Sequence, residues 1–581
     1  MRKNKQSLLL RNKQSLMLRN KQSLMLRNKI LFLGILIAVG GFLLRLWHLG
    51  DVPPSLHWDE PSWGYNAYSI LKTGRDEYGN FMPLIFKAFG DYKSAAYVYL
   101  TVIPVAIFGL NEFAVRFTAA LFGGISIFLT FVVVKELFKD FKGSKALALL
   151  SAFILATSPW HYHFSHGAWE VNIQLVFLLL GIFFFLRAEK KAWFYYLSAT
   201  SFGLCFYVYN SAKLLIPLLG LGLLIFFRQR VFKMKPKEII LSGLILFFFI
   251  LPVFQFTFFG GAGGRLKIMS VFSYPRPVKE MEMIASQGGV IPQSWQFRLF
   301  HGSLPYFTRG VLGRYLNHFS SRFLFFEGDW SNHRHSVPNA GVLNHLALLF
   351  LPLGAYFLIK GKIRNKAFLW YWLLVAPLPS ALTRDVIQAT RSFFMVFPLT
   401  IITAFGIYYA FQLIKRLTFV FKWGMVFVLG LGWFFSFAFY LDQFFIHLPK
   451  AYSADWLYGY KEAVNFIKDK AGNYDRVVFT QKYEQPYIYY LFYTAYDPIK
   501  FQDQAKMVEN SEGDVGYVEK IDNIEFRLLY WPGDRFVKNS LYIGDAYEIP
   551  LTDVFENESK ILKEIRLLNG ELVFRIAETV K

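Results

Sequence analysis

Cysteine is almost missing: Cys205 is the single one in 581 residues, and it sits inside an apolar run. A disulfide scaffold and a thiolate zinc cluster are therefore excluded. Charge is scarce as well, at 18% of residues, and acids are the rarer sign, 40 against 63 Lys and Arg. Apolar side chains fill the space, with 54% hydrophobic residues and 65 Phe. Length alone would suggest about four soluble domains. A soluble chain cannot hide so much apolar surface, and runs such as Leu241 to Phe256 and Met425 to Leu441 read as membrane spans. A cytosolic enzyme and a disordered protein are excluded.

The net charge of +23 would point to nucleic acid in a soluble protein, but its placement argues otherwise. The first 29 residues repeat an eight-residue unit, Arg11 to Leu18 being identical to Arg19 to Leu26, and carry no acid. Followed by the apolar stretch Ile30 to Leu44 without a small-residue cleavage site, this arm (1–29) reads as the cytoplasmic end of an uncleaved signal anchor touching anionic lipid.

Sidedness follows from the basic loops. With the first span ending near Trp47, residues 48–112 are delivered to the outer face. If Ala95 to Leu110, short and interrupted by Pro104, lies along the outer interface, Phe113 to Leu137 is the second span. The basic clusters Lys135 to Lys145, Arg187 to Lys191, Arg228 to Lys237, Lys360 to Lys366 and Lys415 to Lys422 then all fall inside. Further spans near 146–163, 171–186, 193–208, 212–227, 238–256, 341–358, 367–382, 392–413 and 423–441 bring the total to about eleven. The expected fold class is a multi-pass α-helical membrane protein with a membrane domain over 30–445. Its outer face gathers the loop 48–112, the turn His161 to Glu170, the segment 257–340 with its glycine run Gly260 to Gly264, and the turn Thr383 to Arg391. Residues 446–581 have ordinary charged composition and predict an extracytoplasmic mixed α/β domain. Its predicted elements are a helix over Asp455 to Lys468, a strand over Arg476 to Thr480, a helix or strand over Tyr487 to Tyr493, and short strands across Val515 to Ile576. No nucleotide or metal fingerprint appears there.

The most informative stretch is Leu56-His57-Trp58-Asp59-Glu60-Pro61-Ser62-Trp63-Gly64-Tyr65. Two adjacent carboxylates among aromatics at a membrane boundary point to function, although Pro61 also suits a helix start that Asp59 caps. With Asp91-Tyr92-Lys93 and Gly109-Leu110-Asn111-Glu112-Phe113-Ala114-Val115-Arg116-Phe117, this stretch resembles the first outer loop of the GT-C polyprenyl-phosphate-sugar glycosyltransferases. That group includes the protein O-mannosyltransferases and the bacterial transferases that place aminoarabinose on lipid A. Ser158-Pro159-Trp160-His161, Ser165-His166-Gly167-Ala168-Trp169-Glu170 and Pro379-Ser380-Ala381-Leu382-Thr383-Arg384-Asp385 with Arg391-Ser392 extend the resemblance over roughly 30–415, sparing the tail. Many relatives have a basic residue and two prolines where this chain has Lys93-Ser94-Ala95, and many have Arg in place of His166.

The resemblance implies a membrane glycosyltransferase of the cell envelope, with a polyprenyl-phosphate-linked sugar as donor and a protein, lipid or glycan as acceptor. The acceptor attacks the anomeric carbon with inversion, a carboxylate takes its proton, and cations hold the departing phosphate. Asp59 matches the base position, with Glu60 orienting it or the acceptor. Lys93, Arg116 and Arg391 are candidates for the phosphate, with His166 and Arg384 as further substrate-binding candidates; Glu170 is a second-rank acid near the place where relatives keep one in the active-site cavity, and Asp91, similarly ranked, is placed to align the acceptor or a metal. Arg116 and Arg391 also stand where snorkelling explains a basic residue. Relatives of this fold differ over a divalent cation; the histidines His57, His161, His163, His166, His333 and His335 lack helical zinc-pair spacing, so no metal ligand is assigned. A transporter or flippase of a lipid-linked glycan would share the membrane and the phosphate site, but no repeated half or paired broken span supports it. A membrane-anchored sensor would leave the outer acids and bases unexplained.

Overall fold

The computed structural model describes residues 28–259, 268–272, 276–289, 294–504, 506–508 and 516–580. The basic repeat arm, except Asn28 and Lys29, and the glycine run Gly260 to Gly264 lie outside the described residues. Among the described residues, five helices are long and apolar enough to cross a membrane. They are α1 (Asn28–Leu46), α4 (Glu112–Leu137), α10 (Pro236–Phe259), the run Phe393–Ile414 containing α17 (Val396–Ile414), and the run Phe419–Ala451 containing α18 (Phe419–Asp442). Shorter apolar helices fill the rest of the bundle: α5 (Ser144–Ala156), α7 (Val171–Arg187), α8 (Trp193–Cys205), α9 (Ala212–Phe226), α14 (Ala347–Lys360) and α15 (Lys366–Val375). Some are short because prolines divide what the apolar pattern predicts as single spans. Pro159 starts the separate turn α6 (Pro159–Phe164) after α5, and Pro377 separates α15 from α16 (Leu378–Ala381).

Small residues set the tightest approach in the bundle. A Cβ on Gly354 would lie 1.9 Å from the Ile402 carbonyl, and one on Gly406 1.9 Å from that of Phe350, so α14 and α17 pack backbone against backbone. The basic clusters gather at one end of the bundle, where Glu136 pairs with Arg187 at 3.0 Å and Asp140 with Arg364 at 2.9 Å.

At the opposite end, α2 (Asp59–Thr73) leads into the hairpin β1 (Ile85–Ala88) and β2 (Asp91–Ser94). The hairpin turn, Phe89 and Gly90, has positive φ at both residues (56° and 78°), the mirror-image bend that suits the twist of a two-residue connection. The helix α3 (Ala96–Phe108), at 13 residues with Pro104 inside it, falls short of the roughly 20 residues needed to span. It lies against α2 and α4, with Trp63 and Tyr97 rings 4.8 Å apart and Thr101 hydrogen-bonded to Thr118 at 2.9 Å. Helices α11 (Arg276–Gln287), α12 (Trp295–Phe300) and α13 (Ser303–Asn317) follow α10 at this same end.

The tail folds α19 (Tyr460–Lys468) and α20 (Pro486–Thr494) with a six-stranded mixed sheet. Its strands are β3 (Arg476–Phe479), β4 (Lys520–Ile521), β5 (Ile524–Phe526), β6 (Ser540–Gly544), β7 (Ser559–Arg566) and β8 (Leu572–Thr579), in the order β4-β5-β3-β6-β8-β7. Strand β3 runs parallel to both β5 and β6. The tail shares one hydrophobic core with α2 and the hairpin rather than hanging from the bundle. Tyr489 Oη donates to the Leu56 carbonyl (2.9 Å), Tyr65 Oη to that of Tyr496 (3.1 Å), and Gln502 Nε2 to that of Asp76 (2.8 Å). Gly64 makes this seat, since a Cβ there would meet the Phe492 ring at 2.5 Å. The helical run Phe419–Ala451 passes without a break through residues 445 and 446, where the sequence places the domain boundary.

Candidate active site

The acidic pair opens α2, where exposed backbone N–H groups and the helix dipole favour negative charge. The cap is Trp58, which offers no side-chain acceptor; Glu60 reaches back instead, its Oε2 accepting from the His57 N–H at 3.1 Å. Glu60 is buried and fully engaged, since Oε1 also accepts from Arg116 Nε (3.0 Å) and the Ala168 N–H (2.9 Å), and Oε2 from Arg116 Nη2 (3.2 Å). Asp59 stays at the edge, its side chain 32% exposed and ion-paired with Lys93. One residue of offset on a helix start thus separates a clamped carboxylate from an accessible one.

Arg116 corrects an expectation. Fully buried, it donates all five N–H groups: two to Glu60, two through Nη1 to the Leu49 and Pro53 carbonyls (3.3 and 2.9 Å), and one through Nη2 to that of Ser55 (2.7 Å). Nothing is left for a phosphate, and Arg116 serves to fix Glu60 and the loop before α2. His166 is a second correction. It is buried with its ring stacked on Tyr162 at 5.2 Å and edge-on to Phe444, and burial with the nearby Arg116 charge holds it neutral, well below the usual imidazole range. It is a core histidine, not a phosphate cation. Arg384 is exposed, with no side-chain hydrogen bond among the described residues, so the structure does not bring it to the cluster.

Lys93 is placed by the hairpin, where it pairs with Phe86 across the strands. Its ammonium lies 4.6 Å over the Phe89 ring and 5.9 Å from Trp63, an aromatic seat that retains a cation in partly dry surroundings. Asp91 starts the same strand opposite Ala88. Behind Lys93 a narrow cleft of about 30 Å³ is lined by Tyr92, Ser94, Tyr207, Asn210, Lys213 and Val253 among others. Val253 belongs to α10, of whose most apolar window only 6% is buried, so the cleft opens beside the helix most exposed to lipid among the five long ones. Lys213 had no motif to announce it; only its position two residues after Ser211 at the start of α9 marked it as a boundary cation.

Glu170 precedes α7 within electrostatic range of Asp59 and Lys93, and burial, reinforced by Asp59, pushes its carboxyl up to about 8. Tyr209 lies between Glu170 and Arg391, within electrostatic range of both. Arg391 is held by Asp385 (2.5 Å) and Thr383 Oγ1 (2.9 Å).

Arg334, opposite this group, escaped the sequence reading because it sits between two histidines. Burial lowers its guanidinium below the usual range, and Asp59, Tyr489 and Asp455 oppose that, which puts it within electrostatic range of the acid pair. The turn carrying it is rigid. Buried Asp329 accepts from Ser331 Oγ (2.8 Å), the Asn332 N–H (3.1 Å), His335 Nδ1 (3.1 Å) and the Ala389 N–H (2.8 Å), while His163 Nε2 bonds the Arg334 carbonyl at 2.6 Å. An aspartate followed by Ser and Asn is the local turn signal that reveals it. His335 and His163 are thereby tied to Asp329 and a carbonyl rather than to a metal. Among the described residues no three carboxylate, imidazole or thiolate groups converge.

Glu77 lies where the hairpin meets the tail, buried, with Asn66 Nδ2 donating to it at 3.1 Å and Asn66 Oδ1 accepting its backbone N–H at 3.0 Å. Burial raises its carboxyl to about 8. The native state therefore holds a proton that the unfolded chain has lost between about pH 4.5 and 8, and stability falls as pH rises through that window. Thermal unfolding in detergent from pH 5 to 8.5 should show a declining Tm, with a shallower slope in Glu77→Gln; an unchanged slope would remove Glu77 as a cause.

Residues 93–256 match the sequence family described as dolichyl-phosphate-mannose-protein mannosyltransferase. No protein of curated function matches the chain. Among solved structures, ArnT from Cupriavidus metallidurans bound to undecaprenyl phosphate superposes with a TM-score of 0.53 at 12% identity, covering 94% of this chain and 97% of that one. The same enzyme in the apo state gives 0.48 at 12% identity over 93% and 97%. The oligosaccharyltransferase AglB from Archaeoglobus fulgidus, in complex with an inhibitory peptide and a dolichol-phosphate, gives 0.45 at 13% identity over 80% of this chain and 63% of that one. The matched segment contains Lys93 and Arg116 and reaches into α10, and the ArnT fold extends over bundle and tail alike. The chain, a multi-pass helical membrane protein with a sheet-containing tail, is thus similar in fold to ArnT over bundle and tail, and similar in sequence to the mannosyltransferase family over residues 93–256.

Proposed function

We propose that the protein is an inverting glycosyltransferase that moves a sugar from a polyprenyl-phosphate donor to an acceptor at the outer face of the cytoplasmic membrane. Asp59 Oδ takes the acceptor's proton as the acceptor oxygen bonds to the anomeric carbon. The bond from that carbon to the phosphate oxygen breaks, and its electron pair leaves with the lipid phosphate. Lys93 and Lys213 hold that phosphate in the cleft beside α10, where the isoprenoid stays in lipid. Glu60, clamped by Arg116, keeps the first turn of α2 in place.

The observation that carries this reading is the double engagement of Lys93, ion-paired with Asp59 on one side and lining the lipid-side cleft on the other. A phosphate arriving in the cleft competes for the ammonium and draws it off the Asp59 carboxylate, which then takes up the proton. The distribution of basic clusters at the far end of the bundle supports an outward-facing site.

Feeding membranes that contain the protein with radiolabelled polyprenyl-phosphate sugars should move label into an acceptor fraction in the wild type. The same assay on Lys213→Met should raise the KM for donor about tenfold with kcat little changed, as loss of one charge-assisted contact predicts. A Lys213→Met enzyme with wild-type KM would empty the cleft of its role.

A further inference from the structure

Between Glu282 and Glu327 the chain holds no acid at all, yet it carries Arg298, Arg309, Arg314 and Arg322 amid aromatic and leucine side chains. This stretch contains α12 and α13, and neither helix buries a single residue. On α13 the exposed positions Leu304, Thr308, Leu312 and Leu316 recur every fourth residue and form one stripe, with Arg309 beside it. On α12, Trp295, Leu299 and Phe300 are exposed in the same way, Trp295 at 68% and Leu304 at 78% on the next helix. Apolar stripes of this extent are not left in water by a stable fold.

The height of the arm relative to the bundle is fixed. Tyr315 Oη donates to the Leu374 carbonyl at 2.8 Å, at the last turn of α15, and Asn317 Nδ2 to that of Val386 at 3.2 Å. The C-terminal end of α13 is thus pinned to the rim where α15 leaves the apolar layer. We infer that α12 and α13 form an interfacial arm that lies on the lipid surface. Its leucines and Trp295 enter the acyl boundary, and its arginines meet the phosphates of anionic phospholipid headgroups. An amphipathic pair with no acid, arginine on its flanks and attachment at the membrane rim fits this surface and not a basic or neutral protein partner.

The test uses the full-length protein in lipid nanodiscs, with Cys205→Ala as background and spin labels at Leu304→Cys or Leu312→Cys. Oxygen, which partitions into acyl chains, should relax these labels strongly, and a water-soluble nickel chelate should lose access several-fold relative to a label on Lys560→Cys, an exposed tail position. Adding phosphatidylglycerol to a phosphatidylcholine disc should deepen the loss of nickel access, and Arg298→Glu with Arg309→Glu should abolish that lipid dependence while leaving the tail label unchanged. Labels as open to nickel as the Lys560→Cys control in both lipid mixtures would overturn the inference. So would labels shielded from nickel and oxygen together, the signature of a protein partner. None of these readouts depends on sugar transfer, so the arm stands or falls apart from the proposed activity.

Discussion

Replacing Arg116 by methionine is expected to cost about 3–5 kcal/mol of stability, the usual penalty for stranding one partner of a buried ion pair. Arg116 is fully buried and its five N–H groups serve Glu60 and three carbonyls of the loop 49–55, so the variant leaves an uncompensated carboxylate and three orphaned acceptors. The measurable outcome is a large drop in Tm in detergent and loss of a monodisperse population. Arg116→Met with Glu60→Leu, which removes both charges, should recover part of that loss. A well-folded Arg116→Met protein with only a raised donor KM would restore the phosphate-binding role that the sequence alone suggests.

Asp59→Asn is expected to act on rate instead. The side chain is one-third exposed and spends its charge on Lys93, so the fold should persist with a Tm close to wild type. Transfer of sugar should fall by about 10² to 10⁴, the contribution of a positioned base. A carrier of lipid-linked glycan or a sensor would be largely indifferent to the same change. Glu60→Gln should behave as its opposite, with impaired folding outweighing any effect on the chemical step.

The sequence exposes what is local and periodic. The acids followed by Pro61 predict the start of α2, and the spacing of apolar runs predicts most of the bundle. The short, Pro104-containing stretch that becomes α3 reads correctly as too poor to span. What it hides is who meets whom. Arg116 and Arg391 stand at similar boundaries in the sequence, yet one is spent entirely on Glu60 and backbone, and the other keeps to the rim with Asp385. His166 looks like a substitute for a family arginine until its ring is seen stacked on Tyr162 in the core. The docking of the tail onto α2 rests on contacts such as Tyr489 to Leu56, separated by 433 positions, which no periodicity encodes. Arg334 becomes visible only once Asp329 has folded its turn within electrostatic range of the acid pair.

The competition between donor phosphate and Asp59 for the single ammonium of Lys93 is where the account is most exposed. Equilibrium binding of polyprenyl phosphate to the Asp59→Asn protein measures it directly. With its carboxylate rival neutralised, Lys93 should hold the lipid phosphate more tightly than in the wild type even though transfer has collapsed, and Lys93→Met should bind more weakly than either. Weaker binding by Asp59→Asn than by wild type would contradict the account.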